Sequence, residues 1–380
     1  MKPWLHPQTA YVHIPFCAHH CGYCDFAVAI AQEHQIDLYL EALEAELSTL
    51  KNPHPLPMRF IGGGTPTHLN LAQLTQLLYI LERWVPLLPG GEFSIESTPD
   101  SLNREKVQLL QSHGLTRVSI GIQTFHDHLL PVLERRHHVE QIAPSIELVR
   151  EQGLQCSLDL IFAVPGQTLA DWQSDIDRAL TYQPDHLSTY GLTYEKGTPL
   201  WKQRERGQVH ALDEELELAM YQMGMEKLTQ AGYIHYEISN FMKPGSACRH
   251  NEVYWANHAH YGFGMGAAGY LHGTRHVNSR SLHDYIKRAL SGDDTAFQRE
   301  QLPPRERAFE TIAVQLRRER GIERGAFQEQ TEFDLNVLVG DECGRLAELK
   351  LLTVSEENIS LTPAGKCVAD GVIQQLMKSQ

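Results

Sequence analysis

Six short apolar runs, each followed by a stretch of helical periodicity, constrain this chain more than any other feature. The strand-like runs fall at 10–14, 59–61, 93–96, 116–122, 154–162 and 186–192. Between the first two, Ile36, Leu40, Leu43, Leu47 and Leu50 share one helical face, with acidic residues between them. Further helices are expected over 71–84, 103–113 (with Asn103 near the cap), 169–180 and 214–230, with helical residues on either side of Arg135-Arg136-His137. Strands alternating with helices of ten to fifteen residues imply parallel βαβ units. Glycine and polar residues gather at the carboxyl ends of the strands, where barrels of this kind place their sites. An α/β partial barrel of six units is therefore expected, and a doubly wound sheet is the competing architecture from periodicity alone.

The pattern changes after Asn240. Glycines and aromatics crowd 241–270, a loop-like composition, and most histidines between His250 and His276 are expected to be solvated. Pro303-Pro304 introduces a helix over 306–318, 359–361 reads as a strand and 363–377 as a final helix. With Leu361-Thr362-Pro363-Ala364-Gly365, this suggests a mainly helical, winged-helix-like tail. The expected division is 1–235 for the barrel, 236–300 for a glycine- and aromatic-rich connection and 301–380 for the tail. The chain's 380 residues suffice for one large and one smaller unit. A formal charge of −14 disfavours nucleic acid as a main partner. No apolar leader and no run of 18 apolar residues is present, and seven cysteines, three of them clustered, fit a reducing cytoplasm.

Those three cysteines, Cys17, Cys21 and Cys24, follow the first strand as Cys-x3-Cys-x2-Cys. Three thiolates on one tight loop suit a soft metal centre, either an iron–sulfur cluster or zinc. A four-iron cubane held by three protein ligands keeps one iron open for a small molecule, as catalytic metals keep an open position. Gly62-Gly63-Gly64-Thr65-Pro66 follows the second strand, where missing Cβ atoms let the main chain approach a ligand. Asp159 lies inside the apolar fifth strand, a costly place for a charge unless it is paired, which makes it a site candidate on physics alone.

The stretch His13-Ile14-Pro15-Phe16-Cys17, with Tyr23-Cys24-Asp25-Phe26, resembles the cluster motif of the radical S-adenosylmethionine (SAM) proteins. Within them it is similar to the relatives of oxygen-independent coproporphyrinogen III oxidase, and to their heme-chaperone branch. The resemblance implies an open six-fold radical SAM barrel and a [4Fe-4S] cluster on the three cysteines. SAM would bind the fourth iron and be cleaved to a deoxyadenosyl radical by an electron from the cluster. It assigns Gly63, Gly64 and Thr65 to the methionine end of SAM and Glu96 to SAM. It assigns Gln123, Arg135 and Asp159 to nucleotide or second-SAM contacts, and Tyr11 to a SAM contact. Tyr23 is placed to stack on adenine. The flank Ser97-Thr98-Pro99 departs slightly from the family pattern.

His250-Asn251-Glu252-Val253-Tyr254-Trp255 resembles the His-Asn-x-x-Tyr-Trp signature of the chaperone branch, where it is linked to heme. His250, Asn251, Tyr254 and Trp255 are the implied heme residues, with Cys248 as a competing thiolate. Imidazole is a common heme ligand and aromatics pack on porphyrin faces. The coproporphyrinogen enzymes carry a further cysteine where this chain has Phe26, and a long extension where ten residues precede Tyr11. Both favour a cytoplasmic chaperone that binds heme as cargo and passes it to acceptor hemoproteins, with an electron donor for the cluster. No transmembrane segment is expected, and any membrane contact would be peripheral, through the acceptors. Radical oxidative decarboxylation of coproporphyrinogen III and a zinc-stabilised binding module are the alternatives.

Overall fold

The computed structural model describes residues 2–378. Its centre is an open sheet built on six parallel strands adjacent in chain order: β1 (Thr9–Ile14), β2 (Leu56–Gly63), β3 (Leu87–Ser97), β4 (Arg117–Gln123), β5 (Gln155–Phe162) and β6 (His186–Gly191). The connecting helices are α1 (Ile36–Ser48), α2 (Leu71–Trp84), α3 (Arg104–Ser112), α4 (Ile142–Glu151) and α5 (Leu169–Thr181). After β6 come α6 (Pro199–Glu205) and α7 (Glu214–Gln230). β7 (Asn240–Met242) then pairs antiparallel with β6 and with Ile234–His235, which forms that edge of the sheet. At the other edge β8 (Tyr261–Phe263) lies parallel to β1, so the sheet is not closed.

Local chemistry starts and aims these helices. Asn70 accepts from the Gln73 main chain at 3.0 Å and the Gln73 side chain accepts from Asn70 N at 3.2 Å, a capping box that opens α2. Leu74, Leu77, Leu78 and Leu81 then recur on one face and are buried against the sheet. Thr168 and Asp171 make the same box at the start of α5. Trp172 on that helix is fully buried and donates from Nε1 to the Met220 carbonyl on α7 at 2.8 Å. In β4 every position is buried, with Val118, Ile120 and Ile122 in the apolar core. The alternate residues Arg117, Ser119 and Gly121 share the other face, in register with Gln155, Ser157 and Asp159 of β5.

Several expectations are corrected. Residues 241–270 are not a loop. They hold β7, a helix α8 (Arg249–Trp255), β8 and the strand Ala268–Leu271, which joins Thr274–Asn278 and Ala296–Gln301 in an antiparallel sheet. Strands of three or four residues are too short for a period to show, and some of the glycines serve close packing. A Cβ on Gly262 would sit 2.0 Å from the Ala268 carbonyl oxygen. Most histidines of this region are not solvated: His250 and His260 are buried and His258 and His276 half-buried, while His272 is exposed as expected. The residues before Arg135 form turns, not a helix. The final helix is two, Pro363–Cys367 and Ala369–Met377, parted at Val368.

The tail has its own apolar cluster, including Phe309, Ile312, Phe327, Leu338, Leu346 and Ile359. Helices Pro304–Gln315, Arg324–Thr331 and Leu335–Glu348 surround a three-stranded antiparallel sheet, the winged-helix-like arrangement expected.

Candidate functional site

The loop after β1 is stitched at both ends. His13 donates from Nε2 to the Ala27 carbonyl at 2.7 Å, so its Nδ1 accepts from Tyr11 Oη at 3.0 Å. Ala29 N donates to the Pro15 carbonyl at 2.8 Å, and His20 Nε2 to the Cys24 carbonyl at 3.0 Å. The glycine turn after β2 is bound to the same loop: Gly64 N donates to the Ile14 carbonyl at 2.9 Å and Thr65 N to the Phe16 carbonyl at 3.0 Å. Gly63 has φ +109, and a Cβ on Gly64 would lie 2.7 Å from Pro15 O. These two positions therefore require glycine.

Loop and turn open on a cavity of ≈ 490 Å³ at the carboxyl ends of the parallel strands. Cys17, Cys21 and Cys24 line it, with Tyr23, Gly63, Gly64, Thr65, Glu96, Gln123, Arg135 and Asp159. The cavity thus gathers all but one of the cluster and SAM residues that the sequence suggests. The exception, Tyr11, lies behind the wall, its ring 6.2 Å from those of Phe60 and His250. Sequence reasoning missed His137 and Tyr190, which also line the cavity. The signal for Tyr190 was its place at the end of β6, and for His137 a polar run after β4.

The cavity's charges are arranged around buried carboxylates and thiols. Glu96 accepts from Gly63 N at 2.8 Å. Burial pushes its carboxyl up to about 7, against the pull of that N–H and with the help of Asp159. Asp159 is raised by burial too, while Ser119 Oγ, 3.0 Å away, and the Arg135 charge hold it down. Arg135 Nη1 donates to Cys21 Sγ at 3.6 Å, and Nη2 to the Gly121 carbonyl. Cys17 Sγ lies 3.5 Å from Thr65 Oγ1. Burial lifts the Cys17 thiol to about 11 and the Cys24 thiol to about 12, and the neighbouring cysteines add to both shifts. Buried thiols such as Cys17 and Cys24 ionise readily only beside a cation, which is what an iron–sulfur centre provides, so the donor set fits one. Among the described residues, no three His, Cys, Asp or Glu side chains are gathered as a single-ion site. Gln123, at the end of β4, has φ +63, the kind of backbone strain that collects at ligand sites.

The second motif lies elsewhere. α8 packs across the amino ends of the strands: Glu92 accepts from Arg249 N at 3.1 Å and His250 N at 3.2 Å. Arg117 Nη2 donates to the Ala247 carbonyl at 2.8 Å. His250 is 2% exposed. Its Nδ1 is 2.8 Å from Thr9 Oγ1, and its ring stacks 4.6 Å from Phe60 and meets Tyr254 edge-on at 4.7 Å. Burial drives the imidazole well below its usual range. Asn251, Tyr254 and Trp255 are half-buried, and Cys248 is buried. None of these residues lines the cavity.

The model of the radical SAM superfamily matches residues 11–179, and that of the HemN C-terminal domain matches 302–368. The chain is 38% identical to the heme chaperone HemW of Bacillus subtilis, over 96% of this chain and 98% of that protein. It is 34% identical to HemW of Lactococcus lactis, over 98% and 97%. Among solved structures, coproporphyrinogen III oxidase (HemN) of Escherichia coli superposes with a TM-score of 0.84 at 23% identity, over 98% of this chain and 90% of that one. That likeness bears on the fold.

Proposed function

This chain belongs to the radical SAM superfamily, in the heme-chaperone branch of the coproporphyrinogen III oxidase-like proteins, and from that premise we propose that it is a heme chaperone. It binds heme as cargo and passes it to acceptor hemoproteins in the cytoplasm. Cys17, Cys21 and Cys24 hold a [4Fe-4S] cluster, and the cavity beside them takes SAM. One observation carries this reading: the three cysteines and eight of the nine residues suggested for SAM converge on one cavity. When bound, the cluster supplies an electron and one open iron position to the sulfonium ligand.

The protein's own groups do the rest. Glu96, fixed by Gly63 N, faces the ligand's ammonium. Arg135 steadies the Cys21 sulfur. Asp159, inside β5, and Gln123, at the end of β4, line the cavity and would meet the nucleoside. Heme is assigned to His250, Asn251, Tyr254 and Trp255. Because His250 is enclosed, its ligation requires α8 to lift from the strand starts, while Asn251 and Trp255 offer a half-open outer face. The division into a barrel (1–235), a connection (236–300) and a tail (301–380) goes with this assignment.

Anaerobic reconstitution should give a brown protein with about four irons and four sulfides per chain. Heme titration should then saturate, and His250→Ala with Tyr254→Ala should abolish it. Heme binding that survives the double substitution would overturn the heme assignment, and a zinc ion without iron would overturn the cluster.

A further inference from the structure

One buried nitrogen on the cavity wall has no partner. His137 lines the cavity beyond the turns that follow β4 and is 4% exposed. Its ring is hydrogen-bonded to the main chain of Ile122, yet among the described residues Nε2 meets no partner. A main-chain carbonyl only accepts, so the nitrogen facing Ile122 carries the ring proton and Nε2 presents a lone pair. Burial, then the nearby Arg135 charge, lowers the imidazole to about 4, so at neutral pH no proton fills that lone pair. A buried acceptor without a donor weakens the fold, and such an atom persists where a ligand or an ordered water completes it. The same wall holds the strained Gln123 and Arg135, whose Nε also lacks a partner.

We propose that His137 reads the nucleoside half of the cavity's ligand, its Nε2 accepting a hydrogen bond from an amine or hydroxyl donor of an adenosyl group. This rests on reading the cavity as a SAM site. The amino-acid half is a poor match for His137. Its carboxylate repels a lone pair, and its ammonium is better met by the Glu96 carboxylate at the end of β3. The donors that remain are the ribose hydroxyls and the adenine amine.

The test uses the cluster-reconstituted full chain, without oxygen, titrated with SAM, 5′-deoxyadenosine and methionine. His137→Leu should weaken SAM and 5′-deoxyadenosine by about tenfold each and leave methionine unchanged. It should leave the melting temperature of the ligand-free protein close to that of the unmodified protein, because removal of an unpaired acceptor offsets the lost bond to Ile122, whose carbonyl still accepts from Thr124 N. His137→Gln, whose amide oxygen also accepts, should recover most of the affinity. Binding of both nucleosides within about twofold of the unmodified protein in His137→Leu would overturn the inference, since a water then fills the role. Loss of SAM binding alone would overturn the assignment to the nucleoside half. A melting temperature lowered in both variants, with affinity lost in both, would mark His137 as structural and overturn it too. If the unmodified protein binds neither SAM nor 5′-deoxyadenosine, the SAM reading itself fails, and the unmodified protein alone reveals it.

Discussion

The two ends of the same parallel strands differ in how they are covered. At the amino ends Glu92 receives two main-chain donors of α8, Arg117 is tied to the segment before it, and His250 is bonded, stacked on Phe60 and met edge-on by Tyr254. At the carboxyl ends a cavity leaves Arg135 Nε and His137 Nε2 without partners, holds Glu96 near 7 and keeps Gln123 strained. Arg117 Nε and Nη1 at the amino ends also lack partners among the described residues, so the contrast is one of covering: α8 packs over the first end, and a cavity of ≈ 490 Å³ opens at the other. A motif such as His-Asn-x-x-Tyr-Trp can therefore combine an enclosed histidine with partly open neighbours, while the cysteine loop opens directly on the ligand space.

Substitutions should separate the two ends. The largest effect is expected at the cavity. Serine in place of Cys17, Cys21 and Cys24 should drop iron from about four per chain to none. Chemical denaturation of the ligand-free protein should shift by less than about 1 kcal/mol, because these thiols make only long, weak contacts. Next, His250→Ala at the closed end should cost about 3 kcal/mol of stability through lost ring packing and the orphaned Thr9 hydroxyl, with SAM affinity unaltered. An equal loss of iron or SAM binding there would erase the contrast. Glu96→Gln should weaken SAM roughly 10- to 100-fold in equilibrium titration, with little change in melting temperature.

The smallest effect concerns pH. Burial lowers the His13 and His260 imidazoles to about 4, whereas an unfolded histidine titrates near 6.5. Between those values the unfolded chain binds protons that the folded chain refuses, so stability falls as pH drops through the window. Each of the two should cost about 1 kcal/mol by about pH 5.5, measured by denaturation at a series of pH values. Because the raised Glu96 acts with the opposite sign, the loss is read as the difference from His13→Gln and His260→Gln, and an unchanged acid slope in those variants would contradict the burial described for the two rings.

Much of this was legible in the chain. The six strands and five of their helices follow from apolar period and length, and α2 and α7 begin and end where the period does. The cysteine spacing, the glycine turn and the charge of Asp159 inside an apolar strand were legible in the residues themselves, and the remaining site candidates came from the family resemblance. Two things were not. The segment 241–270 hides its strands in runs of three or four residues, whose partners lie far away in the chain: β8 answers β1. His137 carries no pattern of its own; its importance comes from a bond to Ile122 and a nitrogen left over, which are facts of three dimensions.

The seat of β1 between β2 and β8 has a temporal consequence. Although β1 is among the first residues made, its outer neighbour, Tyr261–Phe263, follows nearly the whole sheet. At ribosomal rates that delay is about 10 to 50 s. Through it the strand carrying the cysteine loop keeps one flank exposed, and the Gly264 contact with His13 is missing. On this ground the cysteine loop gains its full surroundings only in the completed polypeptide.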